Sequence, residues 1–123
     1  MQDIFFRSEE HKQRLLSSLA DIGKIFNGVP DTEYAAALYI LTSDPFMWDV
    51  VSRYVSCDGI RIKGILKKVP MSTGEAALVK LAGNLFNGIA AHVDPLELIP
   101  LDETNFTIVL TALKLRREGL QLS

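Results

Sequence analysis

Residues 72–88 read STGEAALVKLAGNLFNG. The stretch carries a helix signal at both ends. Ser72 and Glu75 have the spacing of a capping box, in which each side chain satisfies the other residue's backbone N–H. Leu78, Leu81, Ala82, Leu85 and Phe86 then fall on one broad apolar stripe with helical spacing. Gly88 suits the left-handed residue that ends a helix, and Asn87 assists it. Gly83, inside the run, costs about 1 kcal/mol relative to Ala. The period is helical rather than twofold, and the same period recurs through most of the chain.

Working outward, Ser8 caps a first helix, with Glu9 and Glu10 placed to favour its dipole. Leu15, Leu19, Ile22 and Phe26 follow on one predicted face. Asp31 caps a second helix holding Tyr34, Leu38 and Leu41. Asp44-Pro45 reads as cap plus first helical position, and this third helix is expected to bury Phe46, Val50 and Tyr54. Asp94-Pro95 opens a short helix through Ile99. Leu101 and the cap Asp102 open the last helix, where Phe106 closes a hydrophobic staple. There Phe106, Val109, Leu110 and Leu113 are expected to face the core, and Arg116 and Arg117 to meet the negative end of the dipole. Segment 60–68 is ambiguous. Ile60 and Ile62 alternate as in a strand, but a strand there lacks an evident partner, and Asp58 suits a cap. A short helix or irregular segment is expected. The fold class is all-α, with one domain over residues 1–123 built from four main helices and one or two short ones.

The whole chain fits that reading. Its 123 residues suffice for a single core without disulfides or metals. Apolar content of 48% and charged content of 23% argue against disorder. A net charge of −2 does not suit a nucleic-acid coat. The charge is unevenly spread, however. Residues 51–80 hold six bases and two acids, whereas 1–50 hold eight acids and four bases. Cys57 is the only cysteine, which points to a reducing, cytoplasmic compartment. The N-terminal residues do not read as a signal peptide. The longest apolar run, residues 35–41, falls far short of the ~20 residues of a membrane helix. No membrane partner is expected. Neither an internal repeat nor a low-complexity segment stands out.

Residues with chemical potential are few. His11 and His92 lie outside any H-E-x-x-H helix, and a zinc site would need more ligands. The plain reading of His11 is a partly exposed histidine at a helix start, and of His92 a loop residue entering the Asp94 cap. Cys57 has no base among its neighbours and reads as a small buried apolar residue. No dinucleotide, phosphate-loop or nucleophile-elbow motif occurs, so no cofactor is expected. Glu9/Glu10 and Asp102/Glu103 are accounted for as helix-start acids. Arg61, Lys63, Lys67 and Lys68 form a basic cluster suited to phosphates, although no aromatic residue is interleaved for base stacking. Trp48 reads as part of the core rim or as an anchor for a partner. Asn84 and Asn87 lie one turn apart on a helix, where Asn is a poor former. Together with His11 they make a candidate polar contact site.

The stretches GEAALVKLAGNLFNG and DPLELIPLDETNFTIVLTALKLR, with SEEHKQR near the start, resemble a small all-helical domain-of-unknown-function family of Gram-positive bacteria and their mobile elements. The resemblance covers nearly the whole chain and is strongest over 74–116; residues 55–70 match least. Its pattern is matched by His11, Arg14, Leu81, Asn84, Leu85, Asn87, Gly88, Leu101, Asp102, Asn105, Phe106 and Arg116. It implies one helical domain and brings no reaction, cofactor or catalytic residue.

The sequence therefore favours a small non-catalytic cytoplasmic protein that acts through protein–protein interaction with an unidentified partner. Self-association as a homodimer is a further expectation, resting on the tail GLQLS and on Ile108 and Leu115 as apolar surface beyond one stripe. The alternative is a nucleic-acid-binding accessory protein using Arg61, Lys63, Lys67 and Lys68. A third reading is an enzyme with a pocket near Asn84, Asn87 and His11.

Overall fold

Caps set where the helices begin. In the computed structural model, which describes residues 2–88 and 92–122, α1 (Glu9–Asp21) starts at Ser8, whose Oγ accepts from the His11 N–H at 3.1 Å. A hairpin of β1 (Ile25–Phe26) and β2 (Val29–Pro30) leads into α2 (Thr32–Leu41), where Asp31 accepts from the Tyr34 N–H. Asp44 caps α3 (Pro45–Val51), which runs on into a 3-10 turn (Ser52–Tyr54). A second hairpin, β3 (Val55–Ser56) and β4 (Gly59–Ile60), leads into α4 (Ile62–Lys68). Then come α5 (Thr73–Asn87), α6 (Pro95–Leu98) and α7 (Glu103–Glu118). Four helices are long, α1, α2, α5 and α7, the number the sequence predicts; among the described residues the short α-helices are three, α3, α4 and α6, where one or two are expected. The capping box of α5 is present in full, and Gly88 ends that helix at φ 75°.

Helix α2 is the axle. All of Tyr34 to Leu41 is buried, so the helix is apolar on every side and must be surrounded. It packs against α1, α3, α5 and α7. Helices α1 and α7 run antiparallel to it: Arg14 of α1 reaches the Thr42 carbonyl at its far end, and Arg116 of α7 reaches Glu33 at its start. The last turn of α5 meets the start of α2, where the Tyr34 and Phe86 rings sit edge to face, 4.8 Å apart.

A buried helix end must find partners for its last carbonyls. Here the Thr42 hydroxyl donates to Leu38 O, Ser43 Oγ donates to Ile40 O, and Arg14 Nε donates to Thr42 O at 2.9 Å. The end of α5 is treated alike: Arg116 Nε donates to Leu85 O at 2.7 Å. Arg116 thus serves a neighbouring helix as well as its own dipole.

The two hairpins depart from an all-helical expectation. Val55-Ser56 is the partner that a strand at residue 60 requires, and Asp58 lies in the turn rather than at a helix cap. Each hairpin turns in two residues, and each is closed by the same backbone bond one position outside it. Asp31 N–H donates to Lys24 O at 2.8 Å, and Arg61 N–H donates to Tyr54 O at 2.9 Å. Helix–hairpin–helix therefore occurs twice, a structural repeat that the sequence hides. Asn27-Gly28 makes one turn with both φ positive, as a type I′ turn requires. Cys57-Asp58 makes the other and leaves the unusual φ to Gly59.

Three predicted faces are corrected. Phe26 is off the α1 stripe, in β1, and exposed. On α3 the inward residues are Met47 and Val51, while Phe46 and Val50 point outward. On α7 the core face is Ile108, Val109, Ala112 and Leu115, while Leu110 and Leu113 lie outside. No helix among the described residues is long and apolar enough to cross a membrane.

Candidate interaction surfaces

His11 is not a surface group. It is fully buried, between the Phe6 ring at 5.2 Å and the Tyr39 ring at 4.9 Å. Its Nε2 lies 2.8 Å from Tyr39 O, a carbonyl in the last turn of α2, and its Nδ1 lies 3.1 Å from the Arg7 N–H. The carbonyl can only accept and the amide can only donate, so the ring is the neutral tautomer with its proton on Nε2. Burial pushes its pKa down to about 4, helped by the positive charges of Arg14 and Arg7 and opposed by the bond to Tyr39. The sequence reading of a partly exposed histidine is overturned. The start of α1 here lies under the N-terminal segment, which a helical period does not reveal.

That segment is a strap along α7. Arg7 Nη2 donates to Asn105 Oδ1 near the start of α7, Tyr39 Oη donates to Phe5 O, and Gln2 Nε2 donates to Gly119 O. Gln2 Oε1 in turn accepts from the Gln121 N–H at 2.9 Å, so one amide clasps both chain ends. Burial raises the Tyr39 hydroxyl to about 12, keeping it a donor.

Asn84 and Asn87 are not joined to His11 in one accessible site, because His11 is sealed at the α1–α2 seam. Asn84 is half-buried, and its Oδ1 accepts from the Val93 N–H at 3.1 Å, holding the chain where it returns towards α6. Asn87 is exposed in the last turn of α5, before the left-handed Gly88. His92 is exposed in the approach to the Asp94 cap, as expected. Among the described residues, no group of three metal-ligating side chains gathers.

Helix α4 is amphipathic, with Ile62 and Ile65 buried and Lys63, Lys67 and Lys68 exposed. Among the described residues, none of these lysines forms an ion pair. Arg61 is partly committed: its Nη2 donates to Arg53 O at 2.9 Å, and its guanidinium lies over the Tyr54 ring at 5.2 Å. Tyr54 also lies against Gly64, where an added Cβ would meet the ring at 3.1 Å. The basic cluster therefore has an aromatic neighbour that the linear sequence places outside it. Cys57, expected to be buried, is an exposed thiol in the turn of the second hairpin.

Two helices carry apolar side chains on their outer faces. On α3, Phe46 is 84% exposed, and Val50 follows one turn later. Trp48, on another side of the same helix, is half-buried against the core and borders a groove with Glu10, Gln13 and Ser17 of α1. On α7, Leu110 is 54% and Leu113 45% exposed. Ile108 and Leu115, expected as extra surface, are buried, as is Leu120 of the tail. The sequence did hold a signal for α7, since its apolar residues span more of the helix circumference than one packing face uses. For α3 it held none: Phe46/Val50 and Met47/Val51 have identical spacing.

Compared with protein-family models, curated proteins and solved structures, the chain matches none. Geometry alone therefore defines its class: a mostly helical protein wound around one buried helix, with apolar surface on two others.

Proposed function

We propose that this chain is a non-catalytic cytoplasmic binding protein that docks another protein on the outer face of α3. The observation that carries the reading is Phe46, a large apolar side chain held almost fully in solvent, with Val50 beside it. Aromatic side chains of this kind anchor interfaces because they bury much area at little entropic cost. The displaced acidities support a structural rather than catalytic use of the ionisable groups. His11 and Tyr39 bond α1, α2 and the N-terminal strap, and Tyr34 Oη donates to Ser56 O of the second hairpin. Glu97 is lowered by its bond to the Asp94 N–H and then by Lys80, as suits a capping residue. The exposed lone thiol of Cys57 suits a reducing compartment. Membership of the uncharacterised helical family belongs to the same proposal.

The test is affinity capture from native-host lysate, with nuclease, using the wild type and a Phe46→Asp/Val50→Asp variant. One stoichiometric protein partner, lost with the variant while circular dichroism is unchanged, is the expected result. Capture that ignores the substitution removes α3 as the docking face.

The exposed lysines of α4 favour a second reading, binding of nucleic-acid phosphates through Arg61, Lys63, Lys67 and Lys68. Affinity would then fall steeply with salt. Unchanged affinity after Lys63, Lys67 and Lys68 are all replaced by Glu would end that reading.

A further inference from the structure

The outer face of α7 sets an exposed apolar residue midway between two charges that also suit the helix dipole. Leu110 is its centre. Seven residues before it lies Glu103, and seven after it lies Arg117; four before lies Phe106, and four after lies Lys114. Seven residues are close to two helical turns and four close to one, so all of these share the side of the helix turned away from Ile108, Ala112 and Leu115. Glu103, Leu110, Leu113, Lys114 and Arg117 are exposed, and Phe106 is half-buried. Among the described residues, Glu103, Lys114 and Arg117 form no ion pair. A shallow groove beside Leu110, bordered by Ile4, Phe5 and Thr111, extends the apolar surface to the exposed Phe5.

We infer that this face is where a second copy of the chain docks, with two α7 helices antiparallel about a twofold axis through Leu110. The argument is charge complementarity. An isologous pairing sets each position against its mirror position about the axis. Leu110 then meets Leu110 of the second copy, and Leu113 meets Thr107. Glu103 meets Arg117 at both ends of the contact. Parallel helices would instead set Glu103 against Glu103 and Arg117 against Arg117. The pattern therefore favours its own antiparallel partner and opposes the parallel one. A single helix pair buries less than the ~1,200 Å² of a standard stable interface, so the dimer is a weak, concentration-dependent one. This inference concerns a different helix from the proposed partner-docking face, and either can fail without the other.

Sedimentation of the intact chain over a concentration series up to about 1 mM tests it. The wild type is expected to pass from monomer to dimer, and Leu110→Glu to stay monomeric with an unchanged helical spectrum. Glu103→Arg alone and Arg117→Glu alone should each weaken the dimer about tenfold, by setting like charges together at both ends. The double exchange Glu103→Arg/Arg117→Glu should restore it. A wild type that stays monomeric, or a Leu110→Glu variant that dimerises normally, overturns the proposal. Single exchanges that weaken the dimer without rescue by the pair overturn the antiparallel arrangement.

Discussion

His11 shows how one side chain can tie three parts of a small protein together. Its ring joins the Arg7 amide, a carbonyl at the end of α2 and the packing of Phe6 and Tyr39. The Arg7 contact needs an unprotonated Nδ1 and burial disfavours the charged ring, so stability must follow its titration. In the unfolded chain the imidazole takes up a proton near pH 6.5; in the fold it does so only near 4. Between those values the unfolded state binds the extra proton, so stability falls as pH drops from 6.5 to 4 and is held in full above 6.5. The part due to His11 is on the order of 3 kcal/mol. Urea unfolding across this range, with His11→Gln as a non-titrating reference, should show the wild type losing that much more than the variant. Parallel curves would mean that the ring is solvated. Arg116 makes a second case. Arg116→Met should cost about 1 to 2 kcal/mol, because Leu85 O loses its donor near a helix end; denaturant midpoints at constant slope measure it. Both roles were out of reach of sequence reasoning. A cap is local and legible, as Ser72/Glu75 and Asp102 were, whereas a side chain that serves another helix is fixed only by tertiary packing.

At the scale of elements, legibility follows the length of the helix. Over α5, fifteen residues with both ends marked leave a single solution, and the predicted stripe packs as expected. Over the seven residues of α3, two stripes compete with equal spacing, and the packing of Met47 and Val51 onto the core decides between them. Substitution should show the same choice. Met47→Ala should cost about 2 to 4 kcal/mol, whereas Phe46→Ala should stay within about 0.5 kcal/mol. Equal costs in urea unfolding would mean that Phe46 is covered. The hairpins were missed because two-residue strands are too short to show a period. Both turns carried turn residues, Asn27-Gly28 in the first and Cys57-Asp58-Gly59 in the second. Such residues do not say which strands pair, and the meaning of Asn27-Gly28 depends on backbone conformation. With φ at 78°, Gly28→Ala should cost about 1 kcal/mol, in a site where an added methyl meets nothing within 4 Å. A neutral result in the same unfolding assay would show that the turn relaxes.

At the scale of the molecule, the position of α2 makes a prediction about cooperativity. A helix apolar on all sides has no stable isolated form; it exists only while α1, α3, α5 and α7 cover it. Each of those helices in turn buries its own apolar face largely against α2 or its immediate neighbours, and Arg14 and the N-terminal strap close its far end. Loss of any one wall therefore exposes the axle and should bring down the rest. Trp48, the only tryptophan, reports on α3, at one side of the structure, while far-UV circular dichroism reports on all the helices together. The two signals should follow one coincident urea transition. Leu38→Ala, in the fully buried middle of α2, should shift both by about 2 to 5 kcal/mol without separating them. If the tryptophan signal were lost first, α3 with the second hairpin and α4 would be a unit that opens on its own. The proposed docking face on α3 would then lie on a part of the molecule able to move without unfolding the remainder.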